Sequence, residues 1–354
     1  MNIKSIAKEI ISDIKRFRKW RFLVWKAKTD YKISPFVKIK YALKGFTPNE
    51  YIWYDLKRND YREYISDYER ICSREINSQY KVILDSKLLF DEVFRKYVRV
   101  PKIYAWISDG FVYGLHEEKI NNDSIISFLK RINIVVLKLE NGFEGKGTYV
   151  IQYDRNQFWV NGLVVSECDL EKLLLNNGKA ILCEYMYQSE FENSLYPHAT
   201  NTLRIVCAKK KGEKKAYIIK AVQRIGNDAC KPVDNVSAGG YASEIDLETG
   251  VLGPAIAKYG PMDRRMVEFN IHPDTGVQIA GKEIPNWNQL KKDIVRLTNR
   301  FPYLNFVAWD VLLTEEGFCI IEGNASSGCG MFQMKHGVKN EELGDIYRSY
   351  GIIK

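Results

Sequence analysis

The chain has 354 residues, of which 45% are hydrophobic and 27% are charged, as is ordinary for a globular protein with a large core. Its seven Cys form no C-x-x-C pair and no Cys/His cluster, which argues against structural zinc and predicts a reduced, cytoplasmic protein. No run reaches the roughly 18 apolar residues that a membrane span needs. The net charge of +9 is concentrated in residues 1–45, where 13 Lys and Arg stand against three Asp and Glu. Because the remainder is nearly neutral, nucleic-acid binding is disfavoured.

The first segment, residues 3–28, has apolar residues at helical spacing and ends in the basic, aromatic run KRFRKWRFLVWKAK, which predicts a helix. Acids within its apolar part argue against a secretory signal. Such a helix either docks on the body of the protein or lies peripherally on the anionic inner face of a membrane. The sequence leaves both interpretations open.

Residues 46–100 are predicted to be helical as far as Pro101, where the pattern changes to short strands. These strand segments are KIYAWI, INIVVLKL, TYVIQY, QFWV, AILCEYM, TLRIVCAK, KAYIIKAVQRI, YASEIDL, FVAWDVLL and FCIIEGN. Further helices are predicted at residues 122–131, 167–177, 288–300 and 340–349. Strands with interspersed helices predict an α+β or mixed α/β fold.

A glycine-rich loop follows the strand that ends in Lys138, in the sequence LKLENGFEGKGTYV. Glycines let backbone N–H groups converge on phosphate oxygens, and Lys138 and Lys146 add two cations, so the loop is a candidate triphosphate cradle. It joins two strands, whereas a Walker loop or a dinucleotide fingerprint opens a helix. The loop alone fits an ordinary hairpin equally well, but a Lys inside an apolar strand usually has an anionic partner.

Three residues at the end of a later strand, Glu184, Tyr185 and Met186, form a second candidate nucleotide contact. Their backbone could offer donors and acceptors to a flat base. A plain core strand explains them equally well.

Two carboxylates and an amide interrupt the apolar hairpin FVAWDVLLTEEGFCIIEGN, at Asp310, Glu322 and Asn324. If a three-residue turn pairs Thr314 with Phe318, Asp310 lies opposite Glu322, with Cβ atoms roughly 5 Å apart. Like charges this close need a cation between them, and Asp, Glu and Asn oxygens suit Mg²⁺ shared with phosphates. The apolar flanks argue against a hairpin with solvated acids.

In this order, the strand Lys with its glycine loop, the E-Y-M segment and the late D…E-x-N hairpin resemble the ATP-grasp superfamily. The closer likeness is to its sugar-transfer-associated branch, found among genes for surface polysaccharides. It is carried also by DSKLLFDEVFRKYVRVPKIYAW, YPHATNTLRIVCAKK, VDNVSAGGYASEIDLETGVLG and HPDTGVQIAGKEIPNW, and covers about residues 85–330.

The resemblance implies an α+β fold in which two lobes with antiparallel sheets grip ATP. A helical region, 1–84, would precede a first lobe, 85–187, that carries the glycine flap. The second lobe, 188–354, would carry the metal and substrate residues.

The resemblance also implies roles for residues by their motif positions. Mg²⁺ would be held by Asp310, Glu322 and Asn324, and Arg204, Lys220 and Arg224 would act on the transferred phosphate. Contacts to ATP would come from Lys102, Lys138, Glu144, Gly145, Lys146, Gly147, Glu184, Tyr185, Met186 and Glu192.

Two positions depart from the superfamily pattern. Many of its ligases have an Arg two residues before the first metal-binding acid, and this chain has Ala308 there. Arg204 or Arg224 could replace that Arg. The acid that would bind the ribose is ambiguous among residues 188, 190 and 192.

Enzymes of this superfamily mostly activate a carboxylate as an acyl phosphate, which an amine then attacks. The resemblance therefore implies an ATP- and Mg²⁺-dependent carboxylate–amine ligase that decorates a cell-surface polysaccharide or its precursor. Its partners would be a small carboxylate and an amine or sugar acceptor. Two alternatives would use the same ATP-binding residues. One is a kinase that phosphorylates a sugar or alcohol, and the other is a nucleotide-binding, membrane-associated adapter of a glycan assembly complex. The sequence indicates neither the substrates nor the oligomeric state.

Overall fold

Two antiparallel sheets dominate the computed structural model, which describes residues 14, 17–29, 31–116, 118–140, 147–176, 178–257, 267–333 and 335–353. Within these residues each sheet has seven strands, and helices lie before, between and after them. The predicted α+β fold, with a helical region ahead of two antiparallel sheets, is confirmed.

The first sheet has the strand order β2-β1-β7-β3-β4-β5-β6. Its strands are β1 (Ile103–Ser108), β2 (Phe111–Gly114), β3 (Ile134–Leu139), β4 (Thr148–Asp154), β5 (Gln157–Val160), β6 (Leu163–Val165) and β7 (Ala180–Glu184). Helices Ile125–Ile132 and Glu167–Asn176 pack their apolar side chains on one face of this sheet. The other face is turned toward the second sheet and carries Lys138.

The second sheet has the order β12-β11-β10-β9-β8-β13-β14. Its strands are β8 (Thr202–Ala208), β9 (Tyr217–Ile225), β10 (Tyr241–Ile245), β11 (Leu252–Ala257), β12 (Val267–Phe269), β13 (Phe306–Thr314) and β14 (Gly317–Asn324). Helix Trp287–Asn299 and the residues Phe90 and Phe94 join its larger core, whereas helix Glu342–Ser349 joins a second core on β8, β9 and β13.

The N-terminal region is built of short helices, several of which begin at a capping side chain. They are a π-helix at Arg21–Trp25, α-helices at Pro35–Ala42, Pro48–Trp53, Asp67–Cys72, Lys81–Asp85 and Lys87–Phe94, and 3₁₀ turns at Tyr61–Glu63 and Ser73–Tyr80. Further short helices lie at Glu190–Leu195, Val236–Ala238 and Gly330–Gln333. This region contacts the second sheet directly, since Asn77 donates a hydrogen bond to the carbonyl of Phe306 at 2.6 Å.

The helices predicted after residue 120 are confirmed to within three residues at each end. The helix predicted over 3–28 is only partly described: Ile14 and residues 17–20 are helical, and the π-helix ends at Trp25. The residues before Ile14 lie outside the described part of the chain. Four strands, β2, β6, β11 and β12, are not in the sequence prediction. Three of them have only three or four residues, and β11 contains Gly253 and Pro254, which weaken a strand pattern.

Candidate functional site

A cavity of about 680 Å³ lies between the two sheets and continues into the N-terminal region. The first sheet contributes a wall that includes Val136, Lys138, Thr148, Ile181 and Cys183. The second sheet contributes Thr202, Arg204, Arg224, Asp310, Glu322 and Asn324. The N-terminal region closes one end with Asn49, Glu50, Trp53, Tyr54, Asp67 and Arg70.

The hairpin of β13 and β14 places Asp310 opposite Glu322, as predicted, but by a different route. Its turn has two residues, so Thr314 pairs with Gly317, and the predicted pairing with Phe318 is wrong. A β-bulge one residue before Glu322 then shifts the register by one position. The two departures cancel, and the carboxylates face each other across the strands.

Asp310 is 2% exposed and is held by two guanidinium groups. Arg204, directly opposite on β8, donates to both carboxylate oxygens, with Nη2 to Oδ2 at 3.1 Å. Arg224 from β9 places Nη2 at 3.1 Å from the same Oδ2. Burial alone would raise the pKa of Asp310, but Arg204 and Arg224 outweigh it and lower that pKa below its usual value. Asp310 is therefore a fixed anion.

Glu322 differs from Asp310, because among the described residues it forms no ion pair. Burial, followed by the nearby charge of Asp310, raises the pKa of its carboxyl. Asn324 lies two residues further on β14 and donates weakly to Glu322 Oε1 at 3.4 Å and to the Ala308 carbonyl at 3.3 Å. Its Oδ1 is thus left as an acceptor beside two carboxylates.

This donor set fits Mg²⁺, which prefers carboxylate and amide oxygens and shares its other positions with phosphates. Among the described residues, Glu322 forms no ion pair, and the Oδ1 of Asn324 accepts no hydrogen bond. Asp310 already accepts from Arg204 and Arg224, so it would share a metal ion with these side chains or exchange them for it.

The segment 232–246 is more ordered than a flexible polar loop. Asp234 is buried and accepts from Thr202 at 2.6 Å and from Arg224 at 2.9 Å. Residues 236–238 form a 3₁₀ turn, and 241–245 are strand β10. Residues 232–237 line the cavity, so they lie where a second substrate could be contacted.

A basic pair lines the cavity: Lys138 on the first sheet and Lys87 on a helix that precedes this sheet in the chain. Lys138 lies on β3, and no described group accepts a hydrogen bond from its ammonium. Lys87 begins helix Lys87–Phe94 and donates to the carbonyl of Glu140 at 3.1 Å. Burial and the charge of Lys138 lower the pKa of Lys87, although Glu322 opposes this. The pair faces the carboxylate wall and is suited to neutralise an anion between them.

The segment after β7 lies against the same cavity. Glu184 ends the strand, and its carboxylate bonds to Arg99 at 2.5 Å and accepts from the backbone N–H of Lys102 at 3.1 Å. Tyr185 and Met186 continue beyond the strand and line the cavity. The carboxylate of Glu184 is thus engaged, whereas the two following residues present their side chains to the cavity.

Three predicted site residues are placed away from the residues that line this cavity. Lys102 pairs with Glu118 at 2.6 Å. Lys220 pairs with Glu341 at 2.8 Å and lines a separate cavity beside β9 and β10. Glu192 is fully buried and accepts from Gln223 at 2.8 Å.

The glycine loop is only partly described. Glu144, Gly145 and Lys146 lie outside the described residues. Gly147, at its end, has a φ of +73°, and a Cβ there would lie 2.4 Å from the Leu139 side chain. A glycine is therefore favoured at this position, because a side chain would strain the backbone and displace Leu139.

The sequence prediction missed Lys87 and the N-terminal wall of the cavity. The position of Lys87 in its helix is a signal in the sequence. Cations are favoured at the C-terminal end of a helix, whereas Lys87 is the first residue of its helix, directly after the N-cap Ser86. The wall residues Asn49, Glu50 and Trp53 carry no such signal, because their spacing fits an ordinary short helix.

Two antiparallel sheets that enclose a cavity with lysines on one wall and a carboxylate–amide set on the other define an ATP-grasp architecture. Residues 67–345 match the family described as sugar-transfer associated ATP-grasp, and the chain belongs to this family. A search of curated proteins found no match.

Solved structures resemble the chain weakly. An ATP-grasp ligase PsnB complexed with a minimal precursor has 14% identity over 78% of this chain and 64% of its own, with a TM-score of 0.38. An ADP complex of N5-carboxyaminoimidazole ribonucleotide synthetase has 11% identity over 75% of this chain and 52% of its own, with a TM-score of 0.40. A D-alanine-D-alanine ligase from Helicobacter pylori has 12% identity over 76% of this chain and 61% of its own, with a TM-score of 0.40. The chain thus spans less than two thirds of each, and these similarities do not indicate its activity.

Proposed function

We propose that the protein is a cytoplasmic, ATP-dependent ligase that activates a carboxylate as an acyl phosphate and joins it to an amine or related nucleophile. The proposed setting is the decoration of a cell-surface polysaccharide or its precursor, in line with the sugar-transfer association of the family. The proposal rests chiefly on one observation: Asp310 and Glu322 face each other on the cavity wall, with Asn324 beside them.

The charges in the cavity support phosphoryl transfer. Mg²⁺-bound ATP would supply the phosphoryl group, with Asp310, Glu322 and Asn324 as the ligands of the metal. Lys87 and Lys138 lie opposite and would hold the phosphate oxygens. Arg204 and Arg224 are already fixed by Asp310, so their donors are pre-positioned for an acyl phosphate without a reorganisation cost. They stand in for the Arg that is absent at Ala308.

The end of the cavity formed by the N-terminal region is the proposed site of the acceptor. Glu50 is 4% exposed there, and burial together with Asp67 raises its pKa well above the usual value. A cationic amine beside these two carboxylates would offset that penalty. Trp53 and Tyr54 line the same end and offer flat apolar faces to a sugar ring.

A coupled assay of ADP and phosphate release tests the proposal. Amino acids would be paired with amino sugars or sugar nucleotides, and release of both products is expected only when carboxylate and acceptor are present together. A stable phosphorylated sugar without free phosphate would instead establish the kinase. Nucleotide binding without any turnover across the screen would favour the adapter and overturn the ligase proposal.

The lysine pair gives a more local test of the nucleotide site. Lys87→Met and Lys138→Met should each raise the KM for ATP by roughly tenfold or more, because each removes a charge-assisted contact to phosphate. The matched control is Lys130→Met, in the same lobe, where the ammonium pairs with Glu167 at 2.5 Å away from the cavity. An unchanged KM in both cavity variants would contradict the proposed phosphate site.

A further inference from the structure

An exposed apolar surface lies at the start of the described chain and is covered by no described residue. Helix Pro35–Ala42 and the residue after it expose Phe36, Ile39 and Leu43 by 84, 44 and 74%. These positions recur at i, i+3 and i+7, so they form one stripe along the helix. The neighbouring segment exposes Phe17 and Phe22 by 61 and 73%. Large side chains at this exposure, in a row, are typical of an interaction surface.

The segment that carries Phe17 and Phe22 is nevertheless docked on the protein. The indole of Trp20 donates to the carbonyl of Ala42 at 2.6 Å, and Val24 is completely buried. The Lys38 ammonium lies 5.5 Å from the centre of the Trp25 ring and so links the helix to this segment. The exposed side chains therefore belong to a fixed surface made of two adjoining segments, which we call the basic apolar surface.

Cations are frequent in the same stretch of sequence as these apolar side chains. Residues 1–45 have a net charge of +10, from 13 Lys and Arg against three acids. Among the described residues, none of the following forms an ion pair: Arg18, Arg21, Lys26, Lys28, Lys32, Lys38 and Lys40. Unpaired cations interleaved with aromatic and aliphatic side chains complement a surface that is anionic at its face and apolar below it.

We propose that the basic apolar surface docks on an anionic lipid bilayer, with Phe36, Leu43, Phe17 and Phe22 inserted at the interface and the cations against the headgroups. Among the described residues, no helix has the length and hydropathy to cross a bilayer. The proposed contact is peripheral, and it extends beyond residues 3–28 to helix Pro35–Ala42. The inference does not depend on the ligase reaction.

The basic apolar surface adjoins the cavity between the sheets, because one of its two segments also lines that cavity. Leu23, Ala27 and Lys28, from the segment that carries Phe22 and Trp25, line the cavity between the sheets. A bilayer on the basic apolar surface would thus lie next to the acceptor end of the cavity.

Vesicle co-sedimentation of the full chain tests the proposal. The protein should bind phosphatidylcholine vesicles that contain phosphatidylglycerol, more weakly those of phosphatidylcholine alone, and less at high salt. Phe36→Ser combined with Leu43→Ser should lower the partition coefficient about tenfold or more, because both side chains leave the interface. Lys32→Gln combined with Lys40→Gln should lower it on anionic vesicles by about fivefold per cation.

The matched control is Leu163→Ser combined with Val164→Ser, another exposed apolar pair, which lies on β6 with exposures of 72 and 53%. This control should bind as the parent does, and thermal melts should show every variant folded, since all the changed side chains are exposed. Absence of binding by the parent, or equal loss in the control, would overturn the proposal. So would a parent dimer, seen by light scattering, that Phe36→Ser with Leu43→Ser turns into a monomer, because a second copy would then cover the surface.

Discussion

Two carboxylates that face each other across one hairpin have opposite surroundings. Asp310 is neutralised by Arg204 and Arg224, which lower its pKa, whereas burial and Asp310 itself raise the pKa of Glu322. Asp310 is thus part of the folded framework, whereas Glu322 forms no ion pair among the described residues, and burial outweighs the nearby cations in setting its pKa. The two side chains should respond differently to the same kind of substitution.

Asp310→Asn should abolish turnover and also lower the free energy of unfolding by about 3–5 kcal/mol, since it leaves the buried guanidinium of Arg204 without its anion and leaves Arg224 with Asp234 alone. Glu322→Gln should lower kcat by roughly a hundredfold or more but leave the free energy of unfolding unchanged or higher. Urea unfolding and steady-state kinetics on both variants check this. Equal destabilisation by the two changes would contradict the assignment of their surroundings.

A third acid, Glu192, provides a pH test at a distance from the proposed metal ligands. It is fully buried, accepts from Gln223, and has its pKa raised well above the usual value by burial and by Asp234. Its Oε1 has no hydrogen-bond partner. A raised pKa in the folded state means that the folded protein binds the proton more tightly than the unfolded chain does.

The free energy of unfolding that Glu192 contributes should therefore be complete below the unfolded pKa of about 4.3 and decline as the pH rises through the folded pKa. Glu192→Gln should remove this decline, so the variant should gain stability over the parent as the pH is raised. Urea unfolding from about pH 5 to pH 8 measures the difference. A constant difference between the two proteins over this range would show that Glu192 does not titrate there.

At the scale of elements, the hairpin shows what pattern reasoning can establish. An assumed three-residue turn predicts that Asp310 faces Glu322, and the apolar flanks make the need to compensate two buried acids visible in the sequence. The turn length and the bulge are not visible in the sequence, since a two-residue turn with a bulge and a three-residue turn give the same partners. The long strands and helices follow from periodicity, whereas β2 and β6 are too short to carry a period.

The short helix Pro48–Trp53 carries the proposed acceptor wall and begins at a capping box. Thr47 accepts from the backbone N–H of Glu50, and Glu50 accepts from the backbone N–H of Thr47 at 2.8 Å. The cap therefore fixes both the helix and the carboxylate that lines the cavity.

Thr47→Ala should lower the free energy of unfolding by about 1 kcal/mol through loss of the cap. It should also raise the KM for the acceptor more than the KM for ATP, because Glu50 loses the hydroxyl that positions it. Thr47→Ser keeps the hydroxyl and serves as the control, with both quantities near those of the parent. A rise in the KM for ATP alone would place this helix at the wrong end of the cavity.

At the scale of the whole molecule, the ordered motifs predict the architecture, because each lobe of the fold has its own local pattern. The cavity itself could not be predicted, since it joins residues more than 200 positions apart. The contact between Ile65 and Gln333 is an example: the amide of Gln333 bonds to both backbone groups of Ile65, at 3.0 and 2.7 Å. No periodicity in either segment indicates such a pairing. Lys102 and Lys220 show the converse, since motif position alone does not indicate whether a side chain lines the cavity between the sheets.

Because the nucleotide would bridge both sheets, it should stabilise the whole fold. A nonhydrolysable ATP analogue with Mg²⁺, at about 100 times its Kd, should raise the free energy of unfolding by about 2.7 kcal/mol. Differential scanning fluorimetry should show the Mg²⁺-dependent part of this increase in the parent and its loss in Glu322→Gln. The same increase with a metal chelator present would argue against a metal ion between protein and phosphates.

The family match begins at residue 67, yet the cavity continues over Asn49, Glu50 and Trp53, which precede it. Most of the side chains proposed to receive the acceptor therefore precede the matched stretch, which carries those proposed to hold ATP. If the proposed acceptor site is right, changes in the first 66 codons would alter the acceptor and leave the residues proposed for phosphoryl transfer unchanged. Divergence among relatives should then be greatest in this leading segment, which makes it the place to exchange when a new specificity is engineered.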